Sequence, residues 1–282
     1  MEISKHILKN ENQKPRLSTG YADQYVKKGM DRDSGKLVDP DIIVLHYTAT
    51  LNVESDIRTL FESDKTVSVH FVVDLNGDIY QLMPLDRIAW HAGKSHFKGR
   101  KGINKYSIGI EIVNPGYVNQ TADDKFRTWY GKSVSADKVE KHQHKNESFS
   151  RFWHIYTEEQ IDSVMQLCQS IKDNYPIQYI LGHDDVSPGR KIDPGPALPM
   201  DKIRNTIFGD RKKEEDPNDL GIGYVNVPKL NIRDEGSIDA SKVALPLEMN
   251  KEVDIMEEKN GWYKVETKIS GWVSSKYIKR LT

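Results

Sequence analysis

The stretch "DIIVLHY", residues 41–47, is a run of β-branched and aliphatic residues of strand length. Asn52 follows it closely and is placed to cap a helix that carries Ile57 and Phe61 on one face. The sequence therefore predicts a buried strand followed by a helix, which is the opening unit of a sheet with helices packed on it.

Two further strand patterns follow along the chain. "VSVHFVVDLNGDIYQLM", residues 67–83, places Asn76-Gly77 between two apolar runs and predicts a β-hairpin whose two turn residues both have positive φ. "YSIGIEIV", residues 106–113, alternates so that its isoleucines point to one face and Glu111 to the other. Glu111 is thus predicted to leave the sheet on a face lined by small side chains.

A helix and a last strand complete the pattern. Thr157 and Gln160 form a capping box in front of apolar residues that keep helical spacing as far as Ile171, and "IQYILGH", residues 177–183, is strand-like. Strands and helices alternate with one inserted hairpin. The predicted fold class is therefore α/β, a mixed β-sheet flanked by helices, with functional residues at strand ends.

The composition divides the chain into two domains. The first is predicted at residues 1–208, with its core at about 40–208. Residues 209–221, "GDRKKEEDPNDLG", hold a single aliphatic residue and predict a charged linker. Residues 222–282 contain short strand-like runs and a tight-turn signal at Asn260-Gly261, which predict a small all-β barrel.

Residues 114–156 are an insertion in the first domain that is too long for an ordinary connection. It is polar and rich in aromatic residues, so it is either a flap on the substrate side or a poorly ordered loop. His142 and His144 could imitate a metal site there, but lysines flank them and a local carboxylate at ligand spacing is lacking. A solvated segment is the expected state.

Charge and composition limit the possible partners and the compartment. Lys and Arg total 41 against 42 Asp and Glu, so no global field attracts nucleic acid or a membrane, and neither is expected as a partner. Cys168 is the single cysteine and is expected in the core. Residues 1–31 lack an apolar stretch of signal-peptide length, so we expect synthesis in the cytoplasm without a signal peptide.

His46 and His183 each stand at the end of a predicted buried strand. Taken alone, a histidine in such a position is more often a core or turn residue with its hydrogen bonds satisfied than a metal ligand. Asp193 lies in a loop restricted by proline and glycine, and could fold back toward both imidazoles. Two imidazoles and one carboxylate around a tetrahedral zinc leave the fourth position open, which is the arrangement of a catalytic site.

Glu111 and Lys191 could complete a hydrolytic arrangement around such an ion. Zinc lowers the pKa of water to about 7, and a carboxylate within reach can take its proton as it attacks a carbonyl. The Lys191 ammonium can stabilise the developing oxyanion. The alternative, which spacing leaves open, is an ordinary ion pair between Glu111 and Lys191.

Four separated motifs carry a resemblance to a known family; they are "IVLHYTAT" (43–50), "AWHAG" (89–93), "YSIGIEI" (106–112) and "GHDDVSPGRKIDPGPAL" (182–198). In this order they resemble the zinc-dependent N-acetylmuramoyl-L-alanine amidases of the amidase-2 type, which share a fold with peptidoglycan-recognition proteins. The resemblance covers about residues 40–208. It implies that His46, His183 and Asp193 are ligands of one zinc ion. It also implies that Glu111 is the catalytic acid/base and Lys191 the oxyanion stabiliser.

The reaction implied by the resemblance is hydrolysis of the amide that joins N-acetylmuramic acid to L-alanine of the stem peptide. Motif position makes Trp90, His91 and Arg190 candidates for substrate binding, and the planar guanidinium of Arg190 suits a peptide carboxylate. The alternatives are a core aromatic residue for Trp90 and a surface cation for Arg190.

Residues 222–282 resemble bacterial SH3 domains, which commonly bind cell-wall peptides. The aromatic residues that could supply a binding face are Trp262, Tyr263, Trp272 and Tyr277. The alternative is that they belong to the barrel core and its strand signature, and we favour it for Trp262 and Trp272.

The resemblance implies a cell-wall lytic enzyme, either a phage or prophage endolysin or a secreted effector, with peptidoglycan as its partner. It would act on the wall after release through a phage holin or injection by a delivery machine. Two alternatives differ in class. One is a non-catalytic peptidoglycan receptor that lacks the metal, and the other is a cytosolic amidase that recycles soluble muropeptides.

Overall fold

The computed structural model describes residues 1–9, 16–28, 35–62, 67–122, 125–209 and 222–267. Most of the predicted linker, as well as Trp272 and Tyr277, lies outside the described residues. The chain divides into two units, Met1–Lys212 and Lys213–Thr282. Within the described ranges, no helix combines the length and the apolar character needed to cross a membrane.

A six-stranded mixed sheet forms the centre of the first unit. Its strands, in spatial order, are Tyr179–Gly182, Ile42–Tyr47, Ser107–Ile112, Phe71–Val73, Ile79–Gln81 and Leu17–Ser18. The first four run parallel, the next pair is antiparallel and the last pair is parallel. With helices against it, this sheet confirms the predicted fold class.

Three parallel strands position the predicted site. Two are named after a residue that they contain, the His46 strand (Ile42–Tyr47) and the Glu111 strand (Ser107–Ile112). The third, Tyr179–Gly182, ends directly before His183 and is called the His183 strand. In the register, His46 lies beside Glu111, and Gly182 lies beside Leu45. The carboxyl ends of the three strands therefore meet at one edge of the sheet, as is usual for functional residues in parallel sheets.

The two faces of this sheet differ in how they are covered. One face packs on the Glu158–Asn174 helix, where Ile110 and its neighbours meet Leu167 and Cys168 in the largest core cluster. Thr157 and Gln160 form both hydrogen bonds of the predicted capping box at the start of this helix. The opposite face carries His46 and Glu111 and is left open at its carboxyl edge.

The remaining helical and strand segments of the first unit are short. The other α-helices are Gly20–Lys28, Val53–Ile57, His183–Val186 and Met200–Phe208. A π-helical segment, Arg58–Glu62, continues the second helix, and Ile103–Lys105 is a 3-10 turn. Glu2–Ser4 pairs with Ile7–Lys9, and His96–Phe97 pairs with Arg100–Lys101. Asn52 accepts a hydrogen bond from the Ser55 N–H, so the predicted N-cap is confirmed.

The predicted hairpin forms between Phe71–Val73 and Ile79–Gln81, but its turn differs from the prediction. Gly77 has a φ of 81°, whereas Asn76 does not adopt positive φ. The Gly77 N–H donates to the Asp74 carbonyl, so the loop has three residues and needs a single left-handed position. A Cβ at Gly77 would also lie 2.7 Å from the Glu159 carbonyl oxygen of the long helix.

The insertion is ordered in its described residues as a five-stranded antiparallel sheet, here called the insertion sheet. Its spatial order is Ser133–Val134, Phe126–Arg127, Tyr117–Gln120, Ser150–His154 and Val139–Gln143, with a 3-10 turn at Ala136–Lys138. The interpretation as a poorly ordered loop is therefore wrong for these residues. The interpretation of His144 as solvated is also wrong, because its side chain is buried against Asp184.

The second unit is all-β in its described part, as predicted. Ile222–Tyr224, Glu252–Lys259 and Trp262–Glu266 form a three-stranded sheet, and Lys229–Leu230 pairs with Leu247–Glu248. Its small core contains Val225, Leu247 and Val253. Asn260 and Gly261 have φ of 51° and 77°, as the predicted tight turn requires. Tyr263 is 55% exposed.

Candidate active site

Three side chains meet at the carboxyl edge of the central sheet. His46 Nδ1 lies 2.9 Å from His183 Nδ1 and 3.1 Å from Asp193 Oδ2, and His183 Nδ1 lies 2.9 Å from the same oxygen. All three residues are buried. His46 belongs to the His46 strand, His183 follows the His183 strand directly, and Asp193 is held in a loop before Pro194. The topology thus joins segments that are remote in sequence.

The partner of the other ring nitrogen assigns the tautomer of His183. Nε2 lies 3.1 Å from the carbonyl oxygen of Ala92 and 3.4 Å from Arg190 Nη2, which donates to closer oxygens instead. A carbonyl oxygen only accepts, so Nε2 carries the proton and donates it. The lone pair of the neutral imidazole is therefore on Nδ1, the atom that faces His46 and Asp193.

A chain of hydrogen bonds makes the same assignment for His46. The Ser107 hydroxyl donates to the Ile103 carbonyl at 2.8 Å, so its oxygen accepts from His91 Nε2 at 3.2 Å. His91 Nδ1 then accepts from His46 Nε2 at 3.0 Å. Burial, followed by the nearby His183, lowers the pKa of His46 to about 4, so the ring is neutral at physiological pH. Its lone pair is on Nδ1.

Three lone-pair atoms therefore face one another without a proton between them. Such an arrangement is repulsive unless a cation lies among the three atoms. Neutral imidazole nitrogens and a carboxylate oxygen are the donors that divalent transition metals take in proteins, and the outer hydrogen bonds fix the ring orientation as expected for metal ligands. Within the described part of the chain, His46, His183 and Asp193 are the group that could hold a metal ion.

An open cleft of about 430 Å³ lies beside these three residues. The predicted site residues that line it are Trp90, His91, Glu111, His183, Arg190, Lys191 and Asp193. The Trp129 indole, on a turn of the insertion sheet, donates to the carbonyl of Ala49, which also lines the cleft. The insertion therefore borders the cleft at this point.

Glu111 is a carboxylic acid without a full set of partners. Its Oε2 atom is buried and has no hydrogen-bond partner. Burial raises its pKa well above the usual range, the carboxylates of Asp193 and Asp56 add to this rise, and the Lys191 charge opposes it. Lys191 acts on Glu111 through its charge without a direct hydrogen bond, so the two do not form the ordinary ion pair. Glu111 is free to exchange a proton with a bound molecule.

The three predicted substrate contacts differ in their surroundings. Trp90 is 43% exposed, which excludes the core position that its aromatic character also allowed. The His91 ring bonds His46 and Ser107, and a Cβ at Gly109 would lie 2.5 Å from it, so glycine is needed beneath the ring. Substrate binding by Trp90 and His91 stays a prediction.

Arg190 stabilises the loop before Asp193 through hydrogen bonds of its guanidinium group. Its Nη2 donates to the carbonyls of Ala92 and Lys94, each at 2.9 Å, and to the Ser187 hydroxyl at 2.7 Å. The Lys191 N–H donates to the Ser187 carbonyl and holds the turn on the other side. Arg190 lines the cleft as well, and its predicted contact with a peptide carboxylate stays a prediction.

Comparison with known proteins identifies the family. The family model for N-acetylmuramoyl-L-alanine amidase matches residues 36–196, more than half of the chain. The chain belongs to the N-acetylmuramoyl-L-alanine amidase family. A second model, the bacterial SH3 domain, matches residues 228–279. The amidase match includes every predicted site residue.

Two curated relatives and one solved structure illustrate the similarity. The N-acetylmuramoyl-L-alanine amidase AmiD of Escherichia coli K12 is 30% identical over 177 residues, which cover 60% of this chain and 53% of AmiD. The 1,6-anhydro-N-acetylmuramyl-L-alanine amidase AmpD of the same organism is 30% identical over 140 residues, which cover 49% of this chain and 57% of AmpD. A structure of Escherichia coli AmiD with anhydro-N-acetylmuramic acid-L-Ala-D-gamma-Glu-L-Lys has a TM-score of 0.45 at 30% identity and covers 60% of this chain and 58% of that one. The chain spans about half the length of the curated relatives it matches.

Asp56 is a residue of this site that the sequence did not single out. It is buried in the Val53–Ile57 helix, its Oδ1 accepts from the Thr50 hydroxyl at 2.8 Å, and its Oδ2 has no partner. Burial raises its pKa to about 6. An acidic residue in the first turn of a helix is normally explained by the helix dipole, so the sequence carried no signal of its proximity to Glu111.

Replacing Asp56 with asparagine should change how stability depends on pH. The folded-state pKa of about 6 lies above the ordinary 3.8, so the unfolded chain releases this proton first as the pH rises. As the pH rises from about 4 to 6, the free energy of unfolding of the wild type should therefore fall relative to that of Asp56→Asn, by up to about 3 kcal/mol. Urea unfolding of both proteins across this pH range measures the difference.

The control for the Asp56 experiment is Asp162→Asn, which removes an exposed carboxylate from the Glu158–Asn174 helix. A stability difference between wild type and Asp56→Asn that is constant from pH 4 to 7 would contradict the assignment of a raised pKa to Asp56.

Proposed function

We propose that this protein is a zinc-dependent N-acetylmuramoyl-L-alanine amidase that cleaves the amide between N-acetylmuramic acid and L-alanine in peptidoglycan. One observation carries the proposal: three buried lone-pair atoms converge at an open cleft that is also lined by Glu111, whose buried Oε2 atom has no hydrogen-bond partner. The membership of the chain in the amidase family supports the same reaction.

His46 Nδ1, His183 Nδ1 and Asp193 Oδ2 would hold the zinc ion, since two imidazoles and one carboxylate are an established ligand set for catalytic zinc. When bound, zinc supplies a Lewis acid that polarises the scissile carbonyl and lowers the pKa of water. The residues of this chain supply the rest of the chemistry. His91 and Ala92 hold the two imidazoles in the tautomers that ligation requires.

Glu111 serves as the proton carrier of the reaction. As a carboxylate, it takes a proton from the water that attacks the amide carbonyl carbon. Because its pKa is raised, it holds this proton and then delivers it to the amide nitrogen as the C–N bond breaks. The products are a lactyl carboxylate on the sugar and a stem peptide with a free amino group on L-alanine.

Lys191 supplies positive charge to the same cleft. The amide oxygen gains negative charge as water adds to the carbonyl, and an ammonium group in a partly dry site stabilises this charge. Lys191 lines the cleft two residues before Asp193, and the Ser187–Lys191 turn fixes its backbone. Its place in the cleft lining is compatible with this role.

Two further features support peptidoglycan as the substrate. The structure of AmiD, a relative at 30% identity, is a complex with a muramyl peptide, and the volume of the cleft in this chain, about 430 Å³, is in the usual range of ligand sites. The SH3 unit would hold the enzyme on the polymer and raise its effective concentration at the wall. Action on the cell wall is part of the same proposal.

Chelation should remove activity and zinc should restore it. We would incubate the protein with purified peptidoglycan sacculi, with a chelator, and with chelator followed by excess zinc, and identify the products by mass spectrometry. The expected result is zinc-restored release of stem peptides that begin with L-alanine, since the ion supplies the Lewis acid. Soluble muropeptides in a parallel arm test whether the polymer is required.

Two outcomes would contradict the proposal. If the protein binds sacculi without releasing peptides in the presence of zinc, it is a receptor. If release proceeds unchanged in the chelator, the three converging ligands do not serve a catalytic metal.

A further inference from the structure

The insertion sheet contacts the loop that bears the metal ligands. His144, at the end of the Val139–Gln143 strand, is 1% exposed, and its Nε2 lies 2.8 Å from Asp184 Oδ2. Lys145 adds a second contact to the same carboxylate at 3.0 Å. His142, two residues earlier, pairs instead with Glu140 at the surface. The two histidines of this segment therefore have different environments.

Asp184 joins the two parts of the metal site. It directly follows His183, and its backbone N–H donates to the carbonyl of Asp193 at 2.9 Å. A change in the position of Asp184 would therefore move a histidine ligand and a carboxylate ligand together. Among the insertion residues that bond Asp184, His144 is the buried one.

Two more residues of the insertion hold the loop on the far side of Asp193. The Tyr156 hydroxyl donates to the Pro194 carbonyl at 2.7 Å. Trp153 is 1% exposed and packs under Gly195, where a Cβ would lie 2.6 Å from the ring. The His144 ring stacks on Trp153 with centroids 6.0 Å apart. Pro194 and Gly195, which directly follow Asp193, are thus both contacted by side chains of the insertion.

We propose that this edge of the insertion is a clamp that sets the geometry of the metal ligands, and that His144 is a positioning residue acting through Asp184 on His183 and Asp193. The clamp consists of His144, Trp153 and Tyr156. Outer hydrogen bonds to metal ligands and to their supporting loop reduce the cost of organising the site when the ion binds. The inference rests on the metal site of the proposed function and not on its substrate.

The test is the zinc affinity of the full chain, measured without substrate. Zinc-free His144→Ala, His142→Ala and wild type compete for zinc with a chromogenic chelator. His144→Ala should bind zinc roughly threefold to tenfold more weakly, which is less than the loss on removing a direct partner of a ligand because His144 acts through Asp184. His142→Ala removes the partly exposed histidine of the same segment, which pairs with Glu140, and should match the wild type within about twofold.

A milder pair of variants covers the case in which His144→Ala fails to fold. Tyr156→Phe removes only the hydroxyl that bonds the Pro194 carbonyl. Tyr175→Phe removes a hydroxyl that bonds His6 away from the site. Zinc binding should weaken at least about threefold in Tyr156→Phe and stay unchanged in Tyr175→Phe. Visible spectra of the cobalt-loaded proteins report ligand geometry independently of stability. Of this pair of variants, Tyr156→Phe should change the spectrum and Tyr175→Phe should not.

The outcomes separate this inference from the proposed function. Wild-type zinc affinity and an unchanged cobalt spectrum in folded His144→Ala or in Tyr156→Phe would overturn the clamp alone. Tight zinc binding by the wild type without release of stem peptides would overturn the proposed function alone. A wild type that binds no zinc would overturn both.

Discussion

Replacing Glu111 with glutamine should lower the rate of amide hydrolysis by roughly 10²- to 10⁴-fold, which is the usual contribution of a general acid/base. Glutamine has nearly the same size but cannot accept a proton from water and return it to the amide nitrogen. The Oε2 atom of Glu111 has no hydrogen-bond partner, so the substitution breaks no hydrogen bond at that atom. The zinc affinity should therefore stay close to that of the wild type.

The measurement is the initial rate of stem-peptide release, with the zinc dissociation constant determined on the same samples. Glu140→Gln is a suitable control, because Glu140 is a carboxylate on an exposed edge of the insertion that pairs with His142. A Glu111→Gln protein that keeps the wild-type rate at full zinc occupancy would show that another group transfers the proton.

Replacing Asp193 with alanine should abolish both zinc binding and hydrolysis. Asp193 contributes the one negative charge of the ligand set, and two neutral imidazoles remain without it. Because the Lewis acid is lost with the ion, hydrolysis should fall by on the order of 10³-fold or more. Chelator competition measures the zinc affinity, and release of stem peptides from sacculi measures the activity.

Asp201→Ala provides the control for Asp193→Ala, because its side chain is 85% exposed on the Met200–Phe208 helix. Thermal unfolding of both zinc-free variants checks that each is folded. Hydrolysis by a zinc-free Asp193→Ala protein at the wild-type rate would exclude the metal from the mechanism.

The central sheet and the long helix were predictable because their signals are local. The β-branched run at 41–47 and the capping box at Thr157 specify a buried strand and a helix start within a few residues. The turn at Asn76-Gly77 shows the limit of such signals. Its sequence is compatible with a two-residue and a three-residue loop, and packing of Gly77 on the long helix accompanies the longer one.

The site residues were predictable as a set, but their arrangement depends on long-range pairing. Strand patterns placed His46 and His183 at strand ends and Glu111 on an open strand face, while the register that puts His46 beside Glu111 exists only in the sheet. The chain of hydrogen bonds from His46 through His91 to Ser107 joins three separate segments, so no fixed spacing of residues in the sequence indicates it. His144 was misjudged for the same reason, since its carboxylate partner lies 40 residues further along the chain.

The parallel pairing of the His46 strand with both of its neighbours also determines when the site forms during folding. His46 and His183 are 137 residues apart in the chain, and contacts across such a distance form late because loop closure costs more entropy as the loop lengthens. A nascent chain therefore has no complete set of ligands until the sheet has closed. On the proposed function, zinc would bind the native state and stabilise it by mass action instead of nucleating it. The same proposal implies that the chain folds first and takes up the ion afterwards.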